Sequence, residues 1–269
     1  MMPLTLPCVR TTLGAALVLV GAAWAVPAVA ATPDLVREPG ATVVEVIDGD
    51  TVMLADGREV RLVGIQAPKL PLGRPNLKAW PLADDAKAAL EAIALDRTVT
   101  LGFGGARGDR HGRVLAHLFV DDTIWVQGEL LKRGLARVYT FADNRAAVPA
   151  MLALEREARQ AGRAIWRHPF YRVRTAAEAV RHLDSFELVE GRVLAAVRVG
   201  ARTYLNFGAD FKTDFTVVIA AADRKSFTAA GLDPVALKDR RVRVRGWIKS
   251  LNGPMIEATH PEQIELLDE

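Results

Sequence analysis

The chain has 269 residues, of which 50% are hydrophobic and 25% charged, and this globular composition provides material for two small cores. The formal net charge of +3 is too small to indicate a polyanionic partner by itself. The single cysteine, Cys8, excludes a disulfide within the chain.

The first thirty residues have the pattern of a secretory signal peptide. Arg10 is followed by an apolar run, residues 13–29, which closes on small residues up to Ala30. Cleavage after Ala30 is expected, with export to the periplasm or the medium. Cys8 would leave with this segment, so the mature protein would have neither disulfides nor thiolate metal ligands. The alternative is an uncleaved membrane anchor, since the run approaches the ~20 residues of a bilayer span.

Period-two hydrophobicity from Ala41 onwards predicts strands that are joined by Asp- and Gly-containing turns. The five expected strands of this region are 42–48, 51–55, 58–65, 98–103 and 114–120. An amphipathic helix that opens at Pro81 separates the third strand from the fourth. A second helix, 126–133, should end at Gly134 in a left-handed cap, and a third, 149–161, should end at Gly162.

A second period-two pattern begins at Phe186 and predicts five further strands, with a helical patch between the third and the fourth. This is the order of a small Greek-key barrel of the oligonucleotide/oligosaccharide-binding (OB) type. We therefore predict a mainly β, α+β protein with two tandem five-stranded barrels. The predicted division is a signal peptide at 1–30, a first domain at 41–170, a linker at 171–184 and a C-terminal domain at 185–269.

The first domain contains residue types that suit phosphodiester chemistry. Asp48 and Asp50 flank Gly49 in a turn, where their carboxylates could meet a hard cation such as calcium; the alternative is a plain hairpin turn. Arg61 interrupts an apolar strand and so should face a partner or a cleft. Arg113 closes the loop "DRHGR" and, like Arg61, has the alternative of being a surface charge.

Five segments recur in the order and at the spacings of one family: "IDGDT", "RLVGIQAP", "DRHGRVLA", "GELLKRGLARV" and "EREARQAGRAIW". From about Ala41 to Trp166 the chain resembles the staphylococcal (thermonuclease) nuclease family. The resemblance implies an OB-type barrel with three helices that cleaves nucleic acid with calcium. It assigns calcium binding to Asp50 and contact with the scissile phosphate to Arg61 and Arg113.

Two positions depart from that family pattern. Gln66 stands where an aspartate usually completes the metal site. It can still offer its carbonyl beside the Ala67 backbone carbonyl, but one negative charge of the site is lost, so calcium should bind weakly. Lys69 stands where the proposed general base lies; it cannot accept a proton while charged, but it could hold a phosphate oxygen. Asp84 and Asp85, at the start of the first helix, could compensate, although acids there usually serve the helix dipole.

Further residues are candidates for holding nucleic acid. His111 lies in the arginine loop, where it either contacts phosphate or is merely solvated, and Tyr139 and Phe141 follow the second helix, near where the family stacks bases. In the C-terminal domain, alternation places Arg241, Arg243 and Arg245 on one face, which is either a phosphate-tracking groove or a solvated surface. The aromatic residues of that domain are Tyr204, Phe207, Phe211 and Trp247. Of these, Phe207 and Trp247 are expected in the core.

The favoured hypothesis is an exported nuclease that acts on single-stranded DNA or RNA, depends on calcium and uses no organic cofactor. Loss of a general base commonly costs about 10²- to 10⁴-fold in rate, so slow turnover is expected. The alternative is a catalytically impaired protein that binds nucleic acid, and a third reading is an envelope interaction module.

Overall fold

The computed structural model describes residues 34–267. The predicted signal peptide, with Cys8 and the cleavage position at Ala30, lies outside the described residues. Among residues 34–267, no helix is long and apolar enough to span a membrane.

The N-terminal part of the structure is a closed five-stranded barrel. Its elements and their neighbours are β1 (Val36–Asp48), β2 (Thr51–Leu54), β3 (Glu59–Leu62), β4 (Ile65–Gln66), β5 (Thr98–Phe103), β6 (Val114–Val120), β7 (Ile124–Trp125) and β8 (Arg137–Val138). The path β3–β2–β1–β5–β6 is closed by parallel pairing of β3 with β6. The predicted barrel is therefore confirmed for this part, and β4 and β8 form a separate short ribbon beside it.

Three helices pack around this barrel: α1 (Ala83–Ala94), α2 (Val126–Lys132) and α3 (Val148–Gln160). Helix α1 buries Leu90 and Ile93 in the barrel core, as their helical spacing predicts. Gly134 follows α2 with φ 71°, which confirms the predicted left-handed cap.

The C-terminal part is built around a second sheet. Its elements are β9 (Arg174–Thr175), β10 (Phe186–Arg192), β11 (Ala195–Val199), β12 (Arg202–Asn206), β13 (Thr216–Ala220), α4 (Ala221–Ala229), β14 (Arg241–Ser250), β15 (Pro254–Glu257) and β16 (Ile264–Leu266). The strand path is β11–β12–β13–β15–β14–β10–β9. Only residues 193–194 separate β10 from β11, although the two strands lie near opposite ends of this path. The path therefore suits the predicted OB-type barrel, which stays a prediction. Phe207 lies in the core, as expected.

The predicted linker, residues 171–184, packs against both parts. Tyr171 is buried and its hydroxyl donates to the Pro81 carbonyl at 2.7 Å. Buried Arg174 pairs with Glu187 at 3.2 Å, and β9 adds a parallel strand to β10. The segment therefore connects the two parts through fixed contacts.

The two parts meet in a buried ionic cluster. Arg245 of β14 is 1% exposed and lies 3.0 Å from Glu155 of α3, and it also pairs with Glu265 of β16. Glu155 in turn accepts the Val138 N–H at 2.6 Å. Burial by itself lowers the pKa of Arg245, but the two carboxylates more than offset this effect and raise it, so the guanidinium is charged.

This cluster corrects the predicted phosphate-tracking face of β14. Arg245 is covered by α3, and Arg243 is paired with Glu190 and Glu265, so neither is available to a nucleic-acid strand. Arg241 lies exposed on the same face. The alternation of side chains along β14 is as predicted, but most of the arginine face is an internal contact.

His260 forms a second contact between the two parts. Its Nε2 lies 2.7 Å from Thr140 Oγ1 and its Nδ1 lies 3.0 Å from Thr259 Oγ1. Nearby, Arg145 and Glu262 form a two-bonded pair at 2.9 and 2.7 Å. Burial lowers the pKa of His260 to about 4, so the ring is neutral at pH 7.

Acid should therefore destabilise this contact. Between pH about 6.5 and 4 the unfolded chain binds a proton at His260 that the folded chain does not. The free energy of unfolding is therefore unaffected by this group above that window and decreases as the pH falls through it. The loss should reach about 3 kcal/mol near pH 4. Urea unfolding of the protein and of His260→Gln at several pH values measures it: the difference between the two stabilities should shrink as pH falls. A constant difference would contradict the burial of a neutral ring here.

Candidate active site

A groove of about 560 Å³ opens beside β3 and β4 in the N-terminal barrel. It brings together five of the side chains selected from the sequence, namely Arg61, His111, Arg113, Tyr139 and Phe141. Arg110 and Asp143 also line it. The groove therefore carries both cationic and aromatic groups on its walls.

Arg113 is held by a tight turn at the groove edge. Asp109 Oδ1 accepts the backbone N–H groups of His111 and Arg113 at 2.8 and 3.0 Å. Asp109 Oδ2 accepts from Arg113 Nε at 2.8 Å and lies 2.7 Å from Nη2. Burial raises the pKa of Asp109, but these hydrogen bonds outweigh it and lower the value overall. The turn fixes the guanidinium, and its Nη1 has no partner within residues 34–267.

Arg61 reaches from the groove wall into the turn between β1 and β2. Its Nη1 donates to the carbonyls of Asp50 and Leu62 at 3.1 and 2.8 Å, and its Nη2 donates to Ile65 at 2.8 Å. Nη1 also lies 3.1 Å from the Asp50 carboxylate. These contacts satisfy the expectation that an arginine in an apolar strand needs a partner, and they lock its position.

The aromatic wall is shared by both parts of the protein. The Tyr139 ring meets Phe141 and Phe186 edge to face, with centroids 5.1 and 4.8 Å apart. Trp247 of β14 donates its indole N–H to the Tyr139 hydroxyl at 3.0 Å. The expectation that Trp247 packs in the C-terminal core is therefore wrong; the ring is 44% exposed. Phe141 is also exposed, as a surface for stacking a base requires.

The turn with Asp48 and Asp50 is pressed against α1. A Cβ at Gly49 would lie 2.7 Å from Ala67 Cβ and 2.8 Å from Ala86 Cβ, so only glycine fits. Asp48 Oδ1 accepts the Asp50 N–H at 3.0 Å. The turn thus joins two strands and also sets two carboxylates side by side.

Lys69 lies directly on this acid pair. Its Nζ is 2.8 Å from both carboxylate oxygens of Asp50 and 3.6 Å from Asp48 Oδ2. Asp50 also accepts the Ala67 N–H at 2.7 Å. Burial raises the pKa of Asp50, but the charges of Arg61 and Lys69 outweigh burial, so the pKa of Asp50 is lowered overall. The pKa of Asp48 is raised, because this side chain is buried beside the negative charge of Asp50. Asp50 has no exposed surface.

Known proteins are similar to part of this chain. The family described as staphylococcal nuclease homologues matches residues 59–168. An uncharacterized endonuclease of Escherichia coli is 31% identical over 137 residues, which cover 50% of this chain and 81% of that protein. The chain belongs to the staphylococcal nuclease homologue family. Protein ParB of Escherichia coli is 35% identical over 144 residues, 47% of this chain and 72% of that protein.

Another relative is Endonuclease YncB of Bacillus subtilis, which is 34% identical over 125 residues. That alignment covers 45% of this chain and 58% of that protein. The family match ends at residue 168, so the C-terminal sheet lies outside it.

The calcium ion that the nuclease family implies does not fit the residues as they stand. Gln66 Oε1 accepts from the buried Arg137 Nε at 2.9 Å, so it is engaged elsewhere. The two carboxylate charges of Asp48 and Asp50 are balanced by Lys69 and Arg61, and an added dication would be uncompensated. No group of three or more His, Cys, Asp or Glu side chains suited to a metal occurs within residues 34–267.

The predicted compensation by Asp84 and Asp85 finds no support in the contacts. Both lie exposed in the first turn of α1, where they suit the helix dipole. Two acids line the groove: Asp109, which is paired with Arg113, and Asp143, which the sequence analysis missed. Its chain position after Phe141 was the available signal, because the aromatic pair already marked this segment as part of the cleft.

Proposed function

We propose that this protein hydrolyses phosphodiester bonds of single-stranded nucleic acid in the groove of its N-terminal barrel. The observation that carries the proposal is the convergence of Arg61, Arg113, Tyr139 and Phe141 on one cavity. Guanidinium groups stabilise charge that grows on phosphorus, and exposed aromatic rings stack bases of any identity. Family membership supports the reaction class.

The two arginines have different parts in this proposal. Arg113 is held by Asp109 at Nε and Nη2, which leaves Nη1 for a non-bridging phosphate oxygen. Arg61 is bound to three backbone carbonyls, so it positions the groove wall and adds positive potential there. A fixed guanidinium needs no reorganisation as the transition state forms.

A base must orient the attacking water, and Asp143 is the group we assign. It is exposed, it lines the groove, and its side chain makes no hydrogen bond within residues 34–267. Asp109 is paired with Arg113, and Asp48 and Asp50 are covered by Lys69. His111 Nε2 accepts a hydrogen bond from Arg110 Nε at 3.2 Å, so this nitrogen already has a partner.

The proposal is tested with labelled single-stranded DNA and RNA. Arg113→Ala should lower the cleavage rate about 10- to 100-fold, because one charge-assisted phosphate contact is lost. Arg198→Ala, an exposed arginine of β11 outside the groove, is the matched control and should leave the rate unchanged. Equal rates for the protein and Arg113→Ala would refute the proposal.

A second candidate function is supported by the covered acid pair. With Asp50 sealed under Lys69, the groove retains phosphate affinity but lacks the family's usual metal chemistry. Salt-sensitive binding that is lost in Arg113→Ala, without cleavage, would show a nucleic-acid-binding protein. Binding that is insensitive to salt would instead favour an envelope interaction module.

We also propose that the protein acts outside the cytoplasm. The support is the sequence of residues 10–30, with its charged residue, apolar run and small residues. Sequencing the N-terminus of protein recovered from the cell exterior or the periplasm should find Ala31 first.

A further inference from the structure

The contacts of Lys69 differ from those of an ordinary surface salt bridge. Its ammonium lies within 2.8 Å of both oxygens of one carboxylate, and a second carboxylate is 3.6 Å away. Asp50, its main partner, has no exposed surface, and the Lys69 side chain is 21% exposed. A cation between two acidic side chains at the edge of a turn is the arrangement of a small metal site, with nitrogen where the metal would be.

The acceptor capacity of Asp50 is fully used by these contacts. Lys69 bonds to both of its oxygens, Arg61 approaches Oδ1 at 3.1 Å, and the Ala67 N–H binds Oδ2 at 2.7 Å. Calcium requires six to eight oxygen ligands. An incoming ion would therefore have to displace Lys69 before it could bind.

Charge balance leads to the same conclusion. Two aspartates face two cationic side chains, so the buried group has no net charge to neutralise. A glutamate in place of Lys69 would give three carboxylates against Arg61, and a dication would then balance the charge. The residue at position 69 thus decides whether this turn attracts a metal.

We propose that the Lys69 ammonium is a built-in substitute for the divalent cation, so that this site neither binds nor needs calcium. The consequence for cleavage rests on the proposed function, but the consequence for ion binding does not. The lysine supplies a fixed positive charge beside Arg61 at all calcium concentrations.

The test is the melting temperature of the whole protein with and without calcium chloride, at matched ionic strength. The melting temperature of the unaltered protein should shift by less than about 1 °C. Lys69→Glu should melt at a lower temperature without calcium, and its melting temperature should rise by roughly 3–5 °C when calcium is tenfold above its dissociation constant. Lys225→Glu, at an exposed lysine of α4, is the matched control and should not respond. Should Lys69→Glu fail to fold, Lys69→Gln should still show a smaller rise with calcium.

Calcium stabilisation of the unaltered protein equal to that of Lys69→Glu would overturn the proposal, as would no response in either position-69 variant. If the protein cleaves nucleic acid, the rate in excess chelator should equal the rate in calcium. If it does not cleave at all, the proposed function fails while the melting experiment still decides the role of Lys69.

Discussion

Replacing Arg245 with methionine is expected to lower the free energy of unfolding by about 3–5 kcal/mol. The change removes a cation that contacts both Glu155, at 3.0 Å, and Glu265 in a buried cluster. Glu155 then keeps Arg159, at 2.8 Å, as its ionic partner. Glu265 keeps Arg243 and shares Arg159 with Glu155, so the two buried carboxylates together lose one of the three cations that compensate them. Urea unfolding at pH 7 measures the loss.

Two further variants separate the effect of charge from the effect of packing in this prediction. Adding Glu155→Gln to Arg245→Met should recover part of the stability, because a neutral amide can still accept the Val138 N–H. Arg198→Met, at an exposed position, should change stability by less than about 0.5 kcal/mol. A loss below about 1 kcal/mol in Arg245→Met would show that the cluster contributes no more than a surface pair.

Asp143→Asn should lower the rate of phosphodiester cleavage about 10²- to 10⁴-fold, the usual cost of losing a general base. Asparagine has nearly the same shape and can hold water, but it cannot take its proton. The fall should appear in kcat, with KM almost unchanged, because the groove keeps its arginines and aromatic rings. Initial rates over a range of labelled oligonucleotide concentrations provide both constants.

A second aspartate variant is the control for this prediction. Asp96→Asn, an exposed aspartate beyond the groove, is the control and should behave as the parent. An unchanged kcat in Asp143→Asn would show that another group orients the attacking water.

Local patterns in the sequence predicted the strands and helices of the first barrel, and the family resemblance assigned Arg61, Arg113 and Phe141 to one site. They could not predict the partner of Lys69, because the course of the loop after β4 depends on how Ala67 packs against Gly49. Alternation placed Arg245 on a face with Arg243, but a period of two says nothing of what covers that face. The covering residue, Glu155, is 90 positions away.

A contact between residues far apart in the sequence also explains why the prediction for Trp247 was wrong. A tryptophan in a strand of alternating pattern is usually a core residue, and the tyrosine that instead receives its N–H belongs to the other part of the chain. Contacts between the two parts are the feature that the separate patterns of each part could not reveal.

The pairing of Arg245 with Glu155 also limits how such a gene can be rearranged. A recombination event that fused this N-terminal half to an unrelated C-terminal segment would take Arg245 away from Glu155, which would keep Arg159 and the Val138 N–H of its own half. Such a chimera would lose stability at this contact unless the new segment supplied a cation that pairs with Glu155.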